Sequence, residues 1–87
     1  MKFSDQVAAA LRSLHPENRQ AIRRALADLD SGKRRDTKAL RPPLQGFSRL
    51  RVGKYRVIYR RDPGSHAIIV EYLEERRTIY ESFPPSS

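Results

Sequence analysis

The sequence predicts an α+β fold in which a helical hairpin packs on one face of a small antiparallel β-sheet. Three observations predict it. Apolar residues recur at helical spacing twice, on either side of His15-Pro16. The run Leu50–Tyr59 alternates in polarity around Gly53-Lys54, as a β-hairpin does. Residues 67–73 form an apolar, β-branched run of strand length.

Size and charge set the outer bounds. A chain of 87 residues can bury one modest core, so residues 1–87 are read as a single domain. The absence of Cys excludes disulfides and thiolate metal ligands and fits a reducing compartment. No apolar run approaches the length of a membrane span, and Ser4, Asp5 and Gln6 interrupt any signal-peptide core. The expectation is a cytoplasmic protein with no membrane partner. The formal net charge of +8, mostly from Arg, points to a polyanionic partner such as nucleic acid, the ribosome or an acidic protein. Arg in place of Lys favours planar, bidentate recognition of phosphate.

The elements follow in order. Met1-Lys2-Phe3 is long enough only for the end of an edge strand. Ser4 is a candidate N-cap, and Val7, Ala8, Leu11 and Leu14 then mark a first helix. His15-Pro16 ends it. Pro16 suits the first position of a second helix, with Glu17 in the first turn where the helix dipole favours a carboxylate. That helix carries Ala21, Ile22, Ala25, Leu26 and Leu29 as its apolar stripe and stops at Ser31-Gly32. Residues 33–46 read as a polar connection. Its Pro42-Pro43 pair bars helix and central strand, and its leucines are expected to pin it to the core.

The hairpin is the informative stretch. Gly53 accepts the positive φ of a type II′ turn, so Val52 pairs with Tyr55, Arg51 with Arg56 and Leu50 with Val57. Cross-strand partners share a face. One face then holds Leu50, Val52, Tyr55, Val57 and Tyr59, which places both tyrosines in the core. The other holds Arg49, Arg51, Lys54, Arg56, Ile58 and Arg60. Like charges directly opposite each other destabilise a sheet, so Arg51 facing Arg56 implies an anion. Either that anion is a bound phosphate, or the face is a solvated one whose long side chains splay apart or pair with Glu71 and Glu74. Asp62-Pro63-Gly64-Ser65 is a second turn, and residues 67–73 are the strand after it.

At these residues the chain resembles the RelE/ParE superfamily of toxins from type II toxin–antitoxin systems. Three segments carry the resemblance: Ser13–Arg19, Leu50–Tyr59, and Arg76-Arg77-Thr78-Ile79-Tyr80, similar to the family's closing Arg-Arg-x-Val-Tyr. The resemblance implies two helices against a sheet whose concave, basic face holds the site. It implies a cognate antitoxin as partner. It also implies one of two activities. The RelE branch cleaves mRNA in the ribosomal A site without a metal, and the ParE branch blocks DNA gyrase. Resemblance lies nearer the RelE branch, so the expected function is a metal-independent endoribonuclease that needs no cofactor. The alternative is a non-catalytic ParE-like gyrase inhibitor, or a degenerate toxin that only binds its antitoxin.

Residue roles come over from the family position by position. Arg56 and Arg76 fall where the RelE branch keeps phosphate-binding arginines, and Tyr80 matches the family's catalytic Tyr. Arg49, Arg51, Lys54, Arg60 and Arg77 are expected to contact nucleic acid. Glu75 stands where many RelE-type toxins carry a His. Arg is protonated at neutral pH, so it clamps phosphate and stabilises charge without acting as an acid. A phenol among cations titrates below its usual value of about 10 and can exchange protons or stack on a base. His15 and His66 sit in separate turns, and the acids near Asp62 and Glu71 lack metal-site spacing.

Overall fold

The computed structural model describes residues 1–75. In chain order the elements are β1 (Lys2–Phe3), α1 (Asp5–Ser13), α2 (Pro16–Asp30), β2 (Thr37–Ala39), β3 (Ser48–Val52), β4 (Tyr55–Arg61) and β5 (Ile68–Glu74). They form one five-stranded sheet in the order β1-β5-β4-β3-β2. All neighbours are antiparallel except β1, which lies parallel to β5 through Lys2↔Ile69 and Phe3↔Val70. The sheet is therefore mixed, and its first strand is two residues long.

Both helices begin and end as their sequences dictate. The Ser4 hydroxyl accepts from Val7 N–H at 3.2 Å and donates to the Glu71 carbonyl at 2.8 Å, so one side chain caps α1 and ties it to β5. Pro16 opens α2. Gly32, at φ +85°, closes it with a two-bond C-cap: Lys33 N–H reaches the Asp28 carbonyl and Gly32 N–H the Leu29 carbonyl. Arg19 fastens one helix to the other. Its guanidinium donates to the carbonyls of Leu11 and Leu14, both at 3.0 Å, adding a second donor to Leu11, which also accepts from Leu14 N–H at 3.3 Å.

The core lies between the helices and one sheet face. Val7 and Leu11 of α1, and Ile22, Ala25, Leu26 and Leu29 of α2, pack on Leu50, Val52, Tyr55, Val57, Tyr59, Ile68, Val70 and Leu73. The predicted stripes hold except at Ala21, which is exposed, and at Ala8, whose expected place against the core is taken by Ala10.

Two departures bear on the other face. Residues 33–46 are more than a connection. Thr37–Ala39 adds an exposed edge strand beside β3, before the prolines begin. The leucines of this segment do not join the helix-side core. Leu40 and Leu44, with Phe47 and Tyr72, cover fully buried Ile58 on the opposite face. A bulge in β5 makes this possible: Tyr59 pairs with Val70 and Ile58 with Tyr72, leaving Glu71 as the extra residue. Plain alternation would put Tyr72 inside with Val70. The extra residue turns Tyr72 outward and Leu73 in.

Candidate nucleic-acid interface

The hairpin forms with the expected register, Val52↔Tyr55, Arg51↔Arg56 and Leu50↔Val57. Gly53 has φ +58°, and among the described non-Gly residues only His66 has positive φ, which makes the turn type II′. Arg49, Arg51, Arg56 and Arg60 all fall on the sheet face turned away from the helices, because their register partners alternate with the core residues.

This face is arranged in rows across the strands. The row nearest the hairpin turn runs Arg51, Arg56, Glu74. It extends to Asp36, whose carbonyl accepts from Arg51 N–H at 2.9 Å one step before β2. Two facing arginines are thus bracketed by two carboxylates. The next row is Lys38, Arg49, Ile58, Tyr72. In the third, Arg60 stands beside Ile69. Apolar and aromatic groups therefore sit among the cations, and the loop that covers Ile58 forms one wall.

The cations are partly matched by acids. Arg60 Nε donates to Glu71 Oε2 at 2.6 Å, so the bulge residue turns its carboxylate onto this face. Asp36 takes two arginines, Arg49 at 3.4 Å and Arg51 at 3.9 Å. Arg56 Nη1 donates to the carbonyls of Gly53 at 3.4 Å and Tyr55 at 3.3 Å, folding back over the hairpin. Among the described residues, two buried polar atoms, Arg49 Nε and Glu74 Oε2, find no hydrogen-bond partner. Of these acids, Glu71 and Glu74 were visible in the sequence as possible partners. Asp36 was not, because nothing local to it indicates that it faces β3.

Lys54 stands apart from the arginine rows, in the turn. Its ammonium meets Glu75 at 2.9 Å and lies 5.8 Å from the Tyr55 ring centre. The hydrogen bond and charge of Glu75 raise the Lys54 pKa above its ordinary value, so it is cationic at neutral pH. Glu75, at the position where a His was of interest, is thus an ion-pair partner. Two further arginines serve the fold: Arg19, described above, and Arg61, which donates to the His66 carbonyl at 3.0 Å. Tyr55 and Tyr59 are buried in the helix-side core, as expected. Among the described residues, no three His, Asp or Glu side chains gather closely enough to hold a metal. No helix there is long and apolar enough to cross a membrane. Arg76, Arg77 and Tyr80 lie outside the described residues.

Comparison with known proteins gives the following. A family model described as "ParE toxin of type II toxin-antitoxin system, parDE" matches residues 2–80. Among solved structures, the fold is similar to a chain of the RelB–RelE antitoxin–toxin complex from Methanococcus jannaschii, with TM-score 0.74 and 20% identity, covering 97% of this chain and 100% of that one. It is similar to a chain of the toxin–antitoxin complex RelBE2 from Mycobacterium tuberculosis, with TM-score 0.73 and 29% identity over 86% of this chain and 94% of that one. It is also similar to a chain of the archaeal RelE–RelB complex from Pyrococcus horikoshii, with TM-score 0.70 and 26% identity over 87% and 92%. No curated protein sequence matches.

Proposed function

The chain belongs to the ParE toxin family of type II toxin–antitoxin systems, and we propose that it is an endoribonuclease toxin that cleaves ribosome-bound mRNA without a metal and so stops translation in the cytoplasm. Its second partner is a cognate antitoxin, a reading supported by similar chains having been solved as toxin–antitoxin complexes. The observation that carries the nuclease reading is the Arg51↔Arg56 pair, flanked on the same face by Arg49 and Arg60. Facing guanidiniums repel, and a phosphodiester between or beside them relieves the repulsion.

The reaction follows from what guanidinium groups can do. The RNA 2′-oxygen attacks phosphorus, its proton leaves to a base, and the bond to the 5′-oxygen breaks as that oxygen gains a proton. The products are a 2′,3′-cyclic phosphate and a 5′-hydroxyl. Arg56 holds the scissile phosphate and stabilises the charge that builds on its oxygens. Arg49, Arg51, Lys54, Arg60 and Arg77 track the flanking phosphates. Arg76 and Tyr80 complete the proposed set by their match to the family motif. Arg76 adds a second clamp, and Tyr80 exchanges the proton. In a translating extract, wild type should cut mRNA and stop synthesis, whereas Arg56→Ala and Tyr80→Phe should be at least tenfold slower. Equal cleavage by all three would reject these roles.

One observation favours a second reading, a non-catalytic inhibitor of DNA gyrase. Glu75 is engaged with Lys54 and supplies no imidazole next to the Arg76-Arg77 pair. A supercoiling assay separates the two. Inhibition of gyrase with no RNA cleavage would select the second.

A further inference from the structure

We propose that the gap between Arg49 and Arg51 is a phosphate site held closed by the chain's own Asp36 carboxylate. The inference rests on the RNA reading only for the source of the phosphate.

The geometry is that of one anion shared by two cations. Arg49 and Arg51 are two apart on β3 and so project on one side of it. Asp36 Oδ1 faces Arg49 Nη2 at 3.4 Å, and Oδ2 faces Arg51 Nε at 3.9 Å. Charge-assisted contacts normally close to about 2.7–2.9 Å, so the flat carboxylate spans the gap without filling it. The Arg49 side chain is only 12% exposed, and its Nε is buried with no hydrogen-bond partner among the described residues. A buried, charged donor left unpaired is costly, and a further anionic oxygen would satisfy it. A phosphate carries that oxygen; a carboxylate bound through both of its own does not. Lys38, opposite Arg49 on β2, adds a third cation at the rim.

Asp36 is placed to leave. Its side chain is 56% exposed, and what fixes it in register is its backbone carbonyl on Arg51 N–H. The carboxylate can swing into solvent without disturbing β2. The neighbouring cations Lys33 and Arg35 do not hold it back, since both pair with Asp28 on α2. An incoming phosphate therefore competes with one weak, solvent-screened carboxylate, and Asp36 sets the affinity threshold of the face.

The test uses Asp36→Asn in the full chain, with two probes: inorganic tripolyphosphate, followed calorimetrically, and a 2′-O-methyl RNA oligonucleotide, which cannot be cleaved, followed by fluorescence anisotropy. Removing one opposing charge at this distance should tighten tripolyphosphate binding about fivefold. The gain should disappear in the Asp36→Asn/Arg51→Gln double variant. Asp30→Asn, an equal charge change at the exposed end of α2, should give no gain. No tightening in Asp36→Asn, a gain that survives in the double variant, or an equal gain in Asp30→Asn would each overturn the proposal. Failure of the RNA reading looks different. If tripolyphosphate binding tightens while no variant binds the oligonucleotide, the site stands and RNA is not its ligand. If Arg56→Gln abolishes oligonucleotide binding while Asp36→Asn changes nothing, the RNA reading stands and this one falls.

Discussion

Gln6 grips the backbone of Leu73 with both ends of its carboxamide. Its Oε1 accepts from Leu73 N–H at 3.0 Å, and its Nε2 donates to the Leu73 carbonyl at 2.8 Å. The geometry is that of a strand neighbour, supplied by a side chain at the start of α1. It continues the edge of β5 where β1 has run out, so a two-residue strand suffices. Gln6→Ala should lower stability by about 1–2 kcal/mol, the worth of two exchanged hydrogen bonds. Gln6→Glu should cost at least as much, because one carboxylate oxygen would face the Leu73 carbonyl. Urea denaturation reads both as a lower midpoint at unchanged slope.

Ile58 is the buried centre of the small apolar cluster on the arginine face. Ile58→Ala should cost about 2–5 kcal/mol, because the loop above it cannot collapse fully into the space. Phe47→Ala should cost less overall, since Phe47 is half-buried, and should act locally. Limited proteolysis should then cut within residues 40–47 before anywhere else in the described chain.

Gly53→Ala should cost about 1–2 kcal/mol, wholly from backbone conformation. A Cβ at this position would meet no atom within 4 Å, so crowding makes no contribution. Gly53→Asn should lose less, because Asn tolerates positive φ better than Ala. Thermal melts of the two variants side by side give the ordering.

Arg51→Gln should separate folding from binding. It removes half of a repulsive cross-strand pair and a long, exposed contact to Asp36, so stability should stay within about 0.5 kcal/mol of wild type. Single-stranded RNA should bind more weakly at every sequence, and the log–log salt slope should fall by about 0.7 for the one lost phosphate contact.

Asp62 gives a pH signature. Its carboxylate accepts from the N–H and hydroxyl of Ser65 and from Gly64 N–H, and these bonds, led by the Ser65 N–H, hold its pKa below the ordinary value. The carboxylate therefore contributes stability above pH about 4, and that contribution fades as pH falls through the lowered native value. The melting difference between wild type and Asp62→Ala should be full at pH 7 and narrow under acid. A difference that grew under acid would contradict it.

The hairpin was legible because each signal in it agrees: Gly53 demands the turn, and period-two alternation then assigns every flanking residue to a face. The helices were legible for the same reason, with caps at Ser4, Pro16 and Gly32 framing apolar stripes. Thr37–Ala39 was not. Three exposed residues show no alternation, and only the free edge of β3 makes them a strand. The environment of the arginines was half legible. Their shared face followed from parity, but Glu71 reaches Arg60 through a bulge that parity does not foresee. Asp36 reaches Arg49 and Arg51 across 13 residues of chain or more. The apolar cover from Leu40 and Leu44 was expected on the core side, since composition says that leucines bury but not on which face.

The parallel pairing of β1 with β5 carries one more consequence. Ser4 and Gln6, both just past β1, hold partners 67 positions downstream. During synthesis Ser4 and Gln6 must wait for β5 before their half of the sheet exists. A chain interrupted before Ile68 lacks the strand that joins its amino end to the hairpin. The arginine face is then missing Glu71, Tyr72 and Glu74, so an unfinished copy carries the cations without the groups that frame them.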